Sequence, residues 1–302
     1  MKKILVIIFL GLILNTTAFA DKKFEKDLKK VSKDNGFVDS KGKTYSIDQI
    51  SDKNNTILII FNHGSLNDQK NDKCLSPWNK VPPVIRNLHD KKIKNFNVKI
   101  YRLCSGVKGW SKKEQTKMWK AHEKSGSLDL KLVDREGTLL IKKQKQNRKR
   151  KIIKEKVENF KAKGFKNIVL AGHSSGGWQS IKLKAEFPKL IQGVIGLHPG
   201  AGGTVKNRKD WPWWSDVRYY GFVKNLSELN ALIIAHDKDQ FNAPEDYSIF
   251  SNLNSVRLIN ITEADCKKEK ILGGYHGISL TECYANYEKN NKDIIKYLEE
   301  IF

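Results

Sequence analysis

The segment Gly172-His173-Ser174-Ser175-Gly176-Gly177 carries the clearest chemistry in the chain. Before it, residues 167–171 (Asn-Ile-Val-Leu-Ala) read as a buried strand. After it, residues 177–187 read as a helix ended by Pro188. A serine flanked by glycines on such a turn is forced into a sharp backbone, and Gly172 and Gly176 remove the side chains that would clash there. The Ser174 hydroxyl then stands clear of the sheet at a helix N-terminus, where the dipole favours developing negative charge. That is the setting of a nucleophile. Other chemistries find less support. There is no Cys-x-x-Cys and no His-Glu-x-x-His, and His122-Glu123 has no second histidine three residues later, so no metal is expected. Residues 200–203 (Gly-Ala-Gly-Gly) lack the following helix and acidic ribose contact of a dinucleotide site, so no cofactor is expected either.

The elements that must position Ser174 come from apolar runs. Residues 56–61 (Thr-Ile-Leu-Ile-Ile-Phe) form a continuous β-branched stretch, as in a parallel strand buried on both faces. Further strands read at residues 97–103, 167–171, 194–197, 231–235 and near 256–259. A hairpin reads at residues 36–38 and 44–47. Helices read at residues 138–163, with Ile153, Val157 and Phe160 on one face and Gly164 as the stop, and from about 282 to 301. Strands alternating with helices, without internal repeat or linker, predict one α/β domain with a mostly parallel twisted sheet covered on both faces.

The chain has 302 residues, 39% hydrophobic, which is enough for a core. Its formal charge is +23, but only eight of the 56 basic residues are Arg. A nucleic-acid reader more often clusters Arg with interleaved aromatics, so no nucleic-acid partner is expected. Residues 1–20 run from Lys2-Lys3 through an apolar stretch ending at Leu14 to Ala18-Phe19-Ala20, the pattern of a secretory signal peptide. The stretch is shorter than the roughly 20 apolar residues a membrane span needs. Cleavage would leave residues 21–302 as the mature domain, exported to the periplasm or secreted, without stable membrane insertion and with a charge of +21 once Lys2 and Lys3 are gone. In an oxidising compartment Cys74, Cys104, Cys266 and Cys283 suggest two disulfides. Of the three pairings four cysteines allow, Cys74–Cys104 with Cys266–Cys283 is the expected one.

With strand, serine turn and helix together, the chain resembles the α/β-hydrolase superfamily from about Thr56 to its C-terminus. The resemblance implies the order nucleophile, acid, histidine, with the acid after a later strand and the histidine in a loop near the C-terminus. Residues 231–235 followed by His236-Asp237-Lys238-Asp239, and His276 within Gly273-Gly274-Tyr275-His276-Gly277, meet that order. Asp237 and Asp239 compete for the acid. Asp239, with Pro244 five residues on, is the better match to the family pattern. The resemblance further implies an oxyanion hole made by the N–H of Ser175 and, because His63-Gly64-Ser65 is similar to the superfamily's His-Gly segment, the N–H of Ser65. His173, His198 and His236 stand beside strand ends and read either as ordinary packed or solvated histidines or as residues that line the site without moving protons. Within the superfamily the layout is similar to the dienelactone-hydrolase-like and polyesterase-like branch. The former's namesake enzymes use a cysteine nucleophile where this chain has Ser174, so their substrate does not transfer.

The expected activity is therefore cleavage of a small-molecule or polymeric carboxylic ester through an acyl-enzyme. The alternatives are an amidase or peptidase with the same triad, or a non-catalytic exported binding protein of the same fold. Residues 209–222, with Trp211, Trp213, Trp214, Tyr219, Tyr220 and Phe222, suit either a substrate pocket or packing. The run containing Lys142, Lys143, Lys145, Arg148, Lys149, Arg150 and Lys151 reads as a solvated helix face, available to an anionic surface.

Overall fold

The computed structural model describes residues 32–65, 74, 76, 79–105, 135–200, 203–206, 226–262, 266, 274–288 and 291–302, with the side chains of 135–145 excluded. The signal-peptide segment, the aromatic run 209–222 and the side chains of Lys142, Lys143 and Lys145 lie outside the described residues.

Strand β3 (Thr56–Asn62) is buried at every position. Its alternate side chains enter two separate cores: Leu58 and Ile60 on one side of the sheet, Ile57, Ile59 and Phe61 on the other. A strand that must be apolar on both faces cannot alternate, which is why this run is continuous in the sequence. Around it lie β1 (Gly36–Val38), β2 (Thr44–Tyr45), β4 (Lys92–Ile93), β5 (Phe96–Leu103), β6 (Asn167–His173), β7 (Gly193–Leu197), β8 (Ala231–Ala235) and β9 (Val256–Asn260). The order across the sheet is β2-β1-β5-β3-β6-β7-β8-β9, with β4 paired to β5. The pairs from β5 through β3, β6, β7 and β8 to β9 are parallel, while β1 pairs antiparallel to both β2 and β5.

Helices α2 (Arg135–Ala162) and α3 (Ser175–Glu186) cover one face, through Ile153, Val157, Phe160, Trp178 and Ile181. The short α1 (Pro83–Arg86), α4 (Glu282–Tyr287) and α5 (Lys292–Ile301) cover the other, through Val84, Ile85, Tyr284, Ile294 and Leu298. From β3 the chain crosses to β5 on one side, and it returns through α2 to β6 on the other. The carboxyl ends of β3 and β6 thus flank the point where the winding reverses, the crevice where open α/β sheets bind ligands.

Two expectations need correction, and one element was not expected. The edge strand β4 was not foreseen; two residues are too short for a periodic signal. The Gly-rich loop before the last helix is a 3₁₀ turn, Gly274–Leu280. The single helix expected from about 282 to 301 is two. Asn291 takes a left-handed conformation (φ 65°). The Glu288 carboxylate accepts the N–H groups of Asp293 and Ile294, which caps α5 and ends the first helix. Both expected disulfides are formed, Cys74–Cys104 and Cys266–Cys283, joining residues 30 and 17 apart in sequence. No helix among the described residues is long and apolar enough to cross a membrane.

Candidate active site

Ser174 sits between β6 and α3 with φ 50° and ψ −123°, a conformation that costs a non-glycine residue on the order of 1–2 kcal/mol. Its backbone is held from three directions. The N–H donates to Leu197 O, and the carbonyl accepts from the N–H groups of Trp178 and Gly200. The flanking glycines are steric necessities. A Cβ on Gly172 would stand 2.6 Å from Gly176 C, and one on Gly176 would stand 2.2 Å from Asn62 O and 2.4 Å from His63 O. Helix α3 therefore starts directly against the end of β3.

That contact brings the loop after β3 to the serine. A Cβ built on Gly64 would lie 3.4 Å from Ser174 Cβ and 3.2 Å from His173 Nδ1, so the Gly64 backbone passes beside the nucleophile candidate. Ser65 Oγ donates to Ser175 Oγ at 3.2 Å. Ser175 is the first residue of α3, so its N–H has no partner within the helix. His63, fully buried, fixes the loop from inside. Its Nε2 accepts the Ser105 N–H at 3.1 Å, which leaves Nδ1 as the protonated nitrogen, donating to Gly64 O at 2.6 Å. Burial and the nearby Lys149 charge hold His63 well below the usual histidine pKa, so it is neutral.

On the other side, Asp239 and His276 meet. His276 Nδ1 donates to Asp239 Oδ2 at 2.8 Å, and Oδ1 accepts the Phe241 N–H at 2.7 Å. A Nδ1–H committed to a carboxylate makes Nε2 the nitrogen able to accept a proton. The ring is packed between Phe241 and His173, with centroids 4.4 and 4.8 Å away. His173, the residue before the serine, donates Nε2–H to the His276 carbonyl at 2.8 Å and so ties this segment to the serine turn. Asp237 faces solvent instead, its side chain 40% exposed and 2.8 Å from His236 Nδ1.

His198, at the end of β7, shares the same acid, a bond that no neighbouring residue signals. Its Nδ1 donates to Asp239 Oδ2 at 2.9 Å. Like Ser174 it has a positive φ, 46°. Burial would raise the Asp239 pKa, but the hydrogen bonds and charges of His198 and His276 together outweigh it and hold the carboxylate ionised far below neutrality. Burial lowers the pKa of His198, which therefore acts as a neutral donor. The donor atoms of His198, Asp239 and His276 lie within 4.8 Å of one another, close enough for one ion to touch all three. The two N–H···O bonds already satisfy them in pairs. The sulfurs of a second such cluster, His63 with Cys74 and Cys104, are spent in a disulfide.

The basic run is not uniformly solvated, which corrects the expected solvated helix face. Lys149 is 2% exposed and lies inside the molecule. Arg150 binds Gln179 and Glu186 of α3. Lys151 is exposed and pairs weakly with Glu155. Lys149 had a sequence signal that the run of charges obscured. It falls four residues before Ile153 on the stripe that continues to Val157 and Phe160.

No family model and no curated protein matches this chain. Solved structures similar to it include a CIB-like hydrolase from Thermoplasma acidophilum (16% identity, TM-score 0.42, 88% of this chain and 97% of that one). Another is a lipase-esterase related protein from Clostridium acetobutylicum (12%, 0.43, 89% and 98%). A third is Est1E from Butyrivibrio proteoclasticus with ferulic acid bound (13%, 0.47, 87% and 98%). The strand order and the strand–serine–helix turn give this chain the expected α/β architecture, a mostly parallel sheet with the serine at its carboxyl edge.

Proposed function

We propose that this chain is an exported serine hydrolase of the α/β-hydrolase fold that cleaves a carboxylic ester through an acyl-enzyme. Ser174 is the nucleophile, His276 the general base and acid, Asp239 the orienting acid, and the N–H groups of Ser65 and Ser175 the oxyanion hole. The observation that carries the reading is a strained serine beside the Gly64 backbone, with an Asp239-bound imidazole anchored through His173 to the same turn. A binding module would have no use for that strain or for a buried carboxylate donated to by two imidazoles. Two disulfides among the described residues support the exported reading.

The steps follow from the roles so assigned. Ser174 Oγ attacks the ester carbonyl carbon as its proton passes to His276 Nε2. The carbonyl oxygen becomes an anion facing the two N–H donors, each worth about 3 kcal/mol in the barrier. Collapse breaks the bond to the alkoxy oxygen, which leaves as alcohol with the His276 proton. Water then attacks the acyl group and gives a proton to the same nitrogen. The second collapse releases the carboxylic acid and returns the proton to Ser174. Asp239 stays ionised throughout, fixing the tautomer and stabilising the imidazolium.

The test is hydrolysis of short-chain p-nitrophenyl esters by the purified protein. Wild type is expected to turn over, and Ser174→Ala or His276→Ala to lose about 10³-fold or more in kcat with the fold retained. Hydrolysis that survives both substitutions overturns the assignment.

A further inference from the structure

Lys149 belongs to α2, yet its ammonium reaches across the molecule to the carboxyl edge of the sheet. It donates to His63 O at 2.5 Å, Gly64 O at 2.8 Å and Ser175 Oγ at 3.2 Å. All three of its protons are thus used, and among the described residues it has no carboxylate partner. A buried ammonium without a counter-charge is costly, and burial pushes the Lys149 pKa down to about 7. Methionine or leucine at this place on the apolar stripe would pack without that cost. A group kept under such strain at a sheet edge marks a functional position.

The partners show what the charge does there. Carbonyl and N–H of one trans peptide unit point in opposite directions. Drawing the Gly64 carbonyl toward Lys149 and the His63 Nδ1–H therefore turns the Ser65 N–H the other way. That N–H is the one assigned to the oxyanion. The third bond, to Ser175 Oγ, fastens the same ammonium to the residue supplying the other donor.

We propose that Lys149 is a positioning residue: it clamps the Gly64–Ser65 peptide in the oxyanion-binding orientation and locks that loop to the head of α3. The inference rests on the serine-hydrolase reading and extends it to a residue the fold pattern does not name. Its effect falls on the transition state, where the oxyanion forms, and not on the bound ester.

The experiment compares wild type, Lys149→Gln and Lys149→Met, each shown folded by near-UV circular dichroism. It measures kcat and KM on a short-chain p-nitrophenyl ester and the rate of labelling by a fluorophosphonate. Lys149→Met is expected to lose about 10²-fold in kcat with KM within about threefold, and to label more slowly in the same proportion. Lys149→Gln, whose amide can still donate to the carbonyls, is expected to fall between the two. Should Lys149→Met not fold, the Gln variant alone carries the readout, with a loss of about tenfold or more in kcat expected. A folded variant whose kcat and labelling rate match wild type, whatever its melting temperature, overturns the inference while the serine-hydrolase reading stands. A wild-type protein that neither hydrolyses the ester nor labels overturns both.

Discussion

Gly176→Ala tests how tightly the serine turn is bound to the end of β3. The new Cβ would stand 2.2 Å from Asn62 O and 2.4 Å from His63 O, where real contacts stay beyond 3.0 Å. Both obstacles are backbone, so α3 or the β3 terminus must move by at least 0.8 Å. Forced overpacking of this kind costs about 1–3 kcal/mol of stability. The rate should suffer more, because the same displacement separates the Ser175 N–H from the Ser65 N–H, and an error of about 1 Å in a catalytic arrangement costs roughly 10²-fold. The assay is p-nitrophenyl ester turnover beside thermal unfolding. Gly36→Ala serves as control, since its Cβ would meet Thr44 Cγ2 at an ordinary 3.5 Å. The expected result for Gly176→Ala is a folded protein with a lower melting temperature and about 10²-fold slower turnover. Turnover equal to wild type would refute the claim that this contact positions the oxyanion donors.

Other substitutions probe separate parts of the account. Asp239→Asn should lower kcat by about 10³–10⁴-fold, because the amide presents a donor to His276 and inverts its tautomer, while Asp237→Asn should stay within about twofold in the same kinetic assay. Glu288, capping α5, has its pKa raised to about 7, first by burial and secondarily by Asp293, against the opposing pull of the two N–H groups and Lys91. The folded state therefore binds this proton more tightly than the unfolded chain, so the contribution is full below about pH 4.5 and is lost as pH rises toward 7. Glu288→Gln should remove about 1–2 kcal/mol of that decline, read as a flatter plot of urea-unfolding free energy against pH; an unchanged slope would assign the dependence elsewhere. Replacing Cys266 and Cys283 by Ser should lower stability by about 3 kcal/mol through the freed loop, measured by urea unfolding under non-reducing conditions.

The parts legible in the sequence were those written in local physics. The run from Thr56 announced a doubly buried strand because both its faces are covered, and Gly172 and Gly176 announced the turn because no other residue fits 2.6 and 2.2 Å from backbone. Choosing Asp239 over Asp237 rested on likeness. The two differ in the structure by burial and by which histidine each meets, which two neighbouring acids in a loop cannot display in sequence. His198 joins Asp239 across 41 residues, and nothing local to His198 records that bond. Lys149 hid in the opposite way: six basic neighbours made it look solvated, although its spacing to Ile153, Val157 and Phe160 put it on the buried stripe. The break before α5 was missed because Glu288 and Asn291 are unremarkable as helix residues until the carboxylate turns back onto the N–H groups of Asp293 and Ile294.

Mass spectrometry of the fluorophosphonate-treated protein reaches the central claim most directly. The account predicts one stoichiometric phosphonyl adduct, located by fragmentation on the hydroxyl of Ser174, absent from Ser174→Ala and much slower to form in His276→Ala. A folded wild-type protein that takes up no adduct, or carries it on another residue with Ser174→Ala still modified, would contradict it.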